Sequence, residues 1–161
     1  MLALGTLPDD VTLTDHTGAP FRLSDTRGKP AVFFFYPKAN TPGCTKEACA
    51  FSELAASFDE LEVQVFGISA DSVKRQSNFA QKYGLTMPLI SDPDRAIIEG
   101  WGLWQEKKNY GRTYMGIVRS TFLFDADGKL AHVWPKVRVK GHAEAVLKQA
   151  QALFARSQAG A

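Results

Sequence analysis

Ala31-Val32-Phe33-Phe34-Phe35-Tyr36 is an unbroken apolar run, most of it aromatic, set between Lys29-Pro30 and Pro37. A strand that is apolar at every position, not at every second one, must be covered on both faces. The run therefore demands a central strand with further elements packed above and below it. A second buried strand follows at Val63 to Ile68, and a short one at Leu89-Ile90. Between them the periodicity becomes helical. Phe51, Leu54, Ala55 and Phe58 fall at i, i+3, i+4 and i+7, which predicts one helix face starting near Cys44. Asp71 or Ser72 caps a helix running to Tyr83, with Gly84 as its stop. Asp92-Pro93 reads as a cap followed by proline at the first helical position, for a helix reaching Glu99. At the N-terminus, Val11 to Thr14 and Phe21 to Leu23 flank Thr17-Gly18-Ala19-Pro20, a β-hairpin.

Gly100 to Gly116 reads as an irregular loop packing over the domain edge. Ser120 to Phe124 and Leu130 to Trp134 are strands around Asp125-Ala126-Asp127-Gly128, a hairpin turn. A last helix places Ala143, Val146, Leu147, Ala150, Leu153 and Phe154 on one face. The order is βαβαβα, then a hairpin and a helix. It defines one α/β domain over residues 1–161, with a mixed central sheet flanked by helices. Alternation alone does not separate a thioredoxin-like from a flavodoxin-like sheet.

Composition narrows the function. The 19 Lys+Arg against 17 Asp+Glu give a net charge of +2, too small to argue for nucleic acid or a membrane surface. The longest apolar run is far shorter than the roughly 20 residues that span a bilayer. No Lys or Arg precedes Arg22 and no apolar signal region is visible, so a cytoplasmic protein is expected. In that compartment thiols stay reduced. The only two cysteines, Cys44 and Cys49, read as catalytic or metal-binding and not as a structural bridge.

Cys44 lies where a central strand passes through a loop into a helix, the edge at which open α/β sheets bind ligands. In the first helical turn, the dipole and free N–H groups favour a thiolate. Thr41, three residues earlier, is placed for its hydroxyl to hydrogen-bond the sulfur, and Pro42-Gly43 lets the backbone approach a small ligand. Arg119, by itself, reads as a solvated strand-end arginine. His16, His132 and His142 stand apart from the cysteines in sequence.

The run Pro37-x-x-x-Thr41-x-x-Cys44 resembles the active-site pattern of peroxiredoxins. The stretch from Tyr36 to Phe51 is similar to the peroxiredoxin Q (bacterioferritin comigratory protein) subfamily. Met115 to Leu123 resembles the family's second block. The resemblance implies a thioredoxin-like fold with Cys44 as peroxidatic cysteine, Thr41 and Arg119 as its partners, and Pro37 and Gly43 shaping the substrate site. It implies reduction of hydrogen peroxide and organic hydroperoxides through a sulfenic acid. Cys49, the only other cysteine, would resolve this to an intramolecular disulfide (the atypical 2-Cys arrangement) for thioredoxin or a similar dithiol to reduce. No metal or organic cofactor is called for, and a monomer is expected. Two other readings stay open. A thiol–disulfide oxidoreductase favours two residues between its cysteines, whereas four intervene here. A copper-binding thioredoxin-like module would need a His beside two thiolates.

Overall fold

The computed structural model describes residues 1–159; positions 160 and 161 of the expected 1–161 domain lie outside the described residues. The all-apolar run forms β3 (Ala31–Phe35), buried at every position. It pairs in parallel with β4 (Gln64–Ser69) and antiparallel with β8 (Ser120–Phe124). β5 (Leu89–Ser91) lies parallel to β4. The N-terminal hairpin, β1 (Thr12–Asp15) and β2 (Pro20–Arg22), extends the sheet beyond β5, and β9 (Leu130–Trp134) closes the other edge. The seven strands run β2-β1-β5-β4-β3-β8-β9, a mixed thioredoxin-like sheet as expected.

The two-residue alternation of β3 feeds two separate cores. Val32 and Phe34, with Tyr36 just beyond, enter the layer under α1 (Pro42–Glu53), α2 (Ala55–Glu60), α3 (Val73–Tyr83) and α5 (His142–Ala159). There Phe34 stacks on Phe51 with centroids 4.6 Å apart. Ala31, Phe33 and Phe35 enter the opposite layer, where α4 (Ala96–Gly100) and Trp101 cover them. Burying each such ring contributes roughly 1.5–3 kcal/mol, which makes β3 the anchor of both layers. Among the described residues no helix is long and apolar enough to cross a membrane.

Four expectations are corrected. The single helix expected through Phe58 is two, because the chain breaks at Leu54 (φ −96°, ψ 9°), whose N–H turns back to Phe51 O. Phe51 and Phe58 both stay buried across the break, so the apolar spacing survives it. The helix after Asp92 starts later, at Ala96. Asp92 is fully buried, and its carboxylate reaches forward to accept the N–H groups of Ala96, Ile97 and Ile98. Pro93 stands in the intervening turn. The expected loop over 100–116 holds a hairpin, β6 (Trp104–Asn109) and β7 (Arg112–Ile117), joined through Tyr110 and Gly111 at φ 50° and 75°. Two successive positive φ values are those of a type I′ turn. Phe154 is 37% exposed, off the face of α5 that buries Ala143, Val146 and Ala150.

Candidate active site

β3 delivers the chain to Tyr36, whose N–H bonds Ile68 O across the sheet. Pro37 then turns it out of the sheet, and residues 38–41 are tied down from two sides. Ala39 N–H donates to Asp71 Oδ2 at 2.7 Å, and Ser69 Oγ donates to the same oxygen. Tyr83 Oη donates to Asn40 Oδ1 at 2.9 Å, with Asn40 in the left-handed region at φ 64°. Beneath the loop, Tyr36 Oη donates to Gln76, which itself donates to Ser69 Oγ and Ile90 O. Thr41 is the N-cap of α1 and Pro42 its first residue, so proline sits where its missing N–H costs nothing.

Cys44 is the third residue of α1, in the first turn as expected, and is 1% exposed. Arg119, in the short link between β7 and β8, places Nη2 at 3.3 Å from Cys44 Sγ and Nη1 at 2.7 Å from Glu47 Oε1. The guanidinium is a fork holding a sulfur and a carboxylate at once. Glu47 is 1% exposed and its Oε2 has no hydrogen-bond partner. Burial pushes its carboxyl up to about 7, against the pull of Arg119. Burial works against the Arg119 charge too, but Glu47 and the Cys44 sulfur outweigh it and raise its pKa.

Gly43 lies directly under that guanidinium. A Cβ there would stand 3.2 Å from Arg119 Nη2. Pro37 lines the same strand-to-helix turn and is half-buried. Thr41 departs from expectation, because its hydroxyl donates to Lys38 O at 2.8 Å instead of to the sulfur. Its oxygen lone pairs stay available as acceptors. Cys49 is half-buried and, like Cys44, a free thiol. Burial, and then Glu53, raise its pKa.

The fold thus gathers Cys44, Arg119, Thr41 and Gly43 and leaves Cys49 further along α1. It also adds two residues that sequence reasoning passed over. Glu47 was legible: three residues after Cys44, it shares a helix face with Ala48 and Phe51, and a carboxylate on a core face needs a cation. Lys107, on β6, was not; burial and then Arg119 lower its pKa, while the Cys44 sulfur opposes them. The histidines stay clear. His142 Nε2 pairs with Thr121 Oγ1 at 2.8 Å, and His16 Nδ1 accepts from Leu89 N–H. Among the described residues no group of three His, Cys, Asp or Glu side chains could hold a metal ion.

A cysteine heading a helix at the end of the central strand of a thioredoxin-like sheet, with an arginine on its sulfur, defines a thiol-based oxidoreductase. Comparison with known proteins narrows the class. Residues 5–133 match the AhpC/TSA family. The chain is 42% identical to peroxiredoxin Bcp of Bacillus subtilis over 91% of its length and 94% of the relative's. It is 40% identical to peroxiredoxin Bcp of Escherichia coli over 91% and 94%. The solved bacterioferritin comigratory protein of Xanthomonas campestris, described in terms of its alkyl peroxide reduction activity, superposes with a TM-score of 0.86 at 40% identity, covering 89% of this chain and 92% of that one. PrxQ of Xylella fastidiosa gives 0.90 at 35% identity over 94% and 97%. The chain belongs to the AhpC/TSA family, among its Bcp or peroxiredoxin Q members, and is a thiol peroxidase.

Proposed function

We propose that Cys44 is the sulfur that reduces hydrogen peroxide and alkyl hydroperoxides, within a single thioredoxin-like domain. The observation that carries this is the 3.3 Å approach of Arg119 Nη2 to Cys44 Sγ in the first turn of α1. The thiolate attacks the terminal peroxide oxygen; an S–O bond forms as the O–O bond breaks, and the alcohol or water leaves with a proton. Arg119 donates to the oxygens as charge shifts between them, a role for a fixed planar fork. The Thr41 hydroxyl, its proton committed to Lys38 O, accepts the O–H of the incoming hydroperoxide. Pro37 and Gly43 shape the opening, and the N–H groups of the first turn, which have no helical acceptor, face the substrate.

The product is Cys44 sulfenic acid. Cys49 condenses with it, losing water, to give an intramolecular disulfide that thioredoxin or a similar dithiol reduces. We further infer a cytoplasmic monomer. The disulfide-exchange reading leaves Arg119 and Thr41 without a purpose, and the copper reading lacks a His beside the two sulfurs.

NADPH consumption coupled through thioredoxin and its reductase tests the reading. Turnover is expected with hydrogen peroxide and with a bulky hydroperoxide, and none with Cys44→Ser. Full activity in that variant would overturn it. Sedimentation velocity of the reduced protein should give one species of monomer mass.

A further inference from the structure

Three charges already meet at the site. The thiolate and ionised Glu47 are both negative, and one guanidinium is shared between them. A buried cluster of two anions and one cation is short of a positive charge. Lys107 stands where it could supply one. Its stem lies along Gly116 of the facing strand, where an added Cβ would come within 3.2 Å of Lys107 Cδ and 3.5 Å of Cε. The side chain is half-buried, and among the described residues it pairs with no carboxylate. Burial and Arg119 oppose its charge, and the Cys44 sulfur supports it.

We propose that Lys107 is a positioning residue of the peroxidase, the second cation that balances the Cys44 thiolate and Glu47 alongside Arg119. This rests on Cys44 being the reacting sulfur. The other groups facing the sulfur do not supply the missing charge. Tyr36, from β3, is held neutral by burial, and His142, at the start of α5, has its pKa pushed down to about 4, chiefly by burial. Lys46 on α1 and Lys108 on β6 are exposed.

The test follows alkylation of Cys44 by iodoacetamide against pH, with Cys49→Ser as background so that one thiol reacts. Lys107→Met should move the midpoint up by about half a pH unit, the scale of one partly screened charge. It should also slow oxidation by hydrogen peroxide at pH 6 about threefold, that half unit read as a rate. Lys107→Arg should restore both, Lys107→Gln should match Lys107→Met, and Lys108→Met should change neither. An unmoved midpoint in folded Lys107→Met and Lys107→Gln would overturn the inference while leaving the peroxidase reading intact. If the Cys49→Ser protein does not oxidise at Cys44 at all, the peroxidase reading itself fails.

Discussion

Gly43 has no side chain because the Arg119 guanidinium occupies that space. Alanine is the better helix former by roughly 0.5–1 kcal/mol, so Gly43→Ala separates two effects. Its melting temperature should hold or rise, while turnover falls about tenfold as Nη2 is pushed off the sulfur, a loss of about 1.4 kcal/mol at the barrier. Scanning calorimetry beside the coupled assay reads both; unchanged turnover would mean that Arg119 yields without consequence. Arg119→Lys keeps the charge but cannot hold Cys44 and Glu47 together. We expect it to lose tenfold or more in kcat/KM, about 1.4 kcal/mol, with the melting temperature less affected. Wild-type kcat/KM in this variant would show that charge alone suffices.

At the scale of elements, the two cysteines sit on one helix and cannot meet while it is intact. Five residues along an α-helix give about 7.5 Å of rise, and a disulfide needs Cα atoms within roughly 4.4–6.8 Å. Resolution by Cys49 therefore requires the first turns of α1 to unwind, which would also relieve the burial that raises the Cys49 pKa. One equivalent of peroxide should leave an intramolecular link two hydrogens lighter by mass spectrometry, with faster amide exchange over residues 45–54. A lasting sulfenic acid beside an alkylatable Cys49 would exclude this route. What the sequence discloses about elements depends on how local the signal is. α3 was legible end to end, because Ser72 caps Arg75 N–H and Gly84 takes the left-handed stop at φ 58°. β6 and β7 were not, since a ribbon exposed over most of its length needs no apolar alternation and is specified by its turn and pairing. The break at Leu54 was hidden by an apolar stripe that continues through it. Cys44, Thr41 and Gly43 could be read from one segment. Lys107, brought in from β6, becomes visible only once the sheet is assembled.

Across the whole molecule, two buried groups impose opposite pH dependences on stability. Native Glu47 keeps its proton up to about 7, against an ordinary value of 4.5. Raising pH through that window therefore favours the unfolded chain. Native His142 refuses its proton down to about 4, against an ordinary 6.5, so raising pH from 4 to 6.5 favours the native chain. Each slope is at most about 1.4 kcal/mol per pH unit, and they oppose one another over most of the interval. The wild-type melting temperature should be nearly level between pH 4.5 and 6.5. Glu47→Gln should rise with pH there and His142→Asn should fall; parallel curves for all three would refute the assignment. The interruption at Leu54 also bears on the whole molecule. Had one rigid rod run from Pro42 to Glu60, loosening its first turns would strain the contacts of Phe58 with the sheet beneath. With the rod divided, α1 can melt and anneal once per turnover as a separate tile, while the floor of phenylalanines under it never learns that a bond has been made.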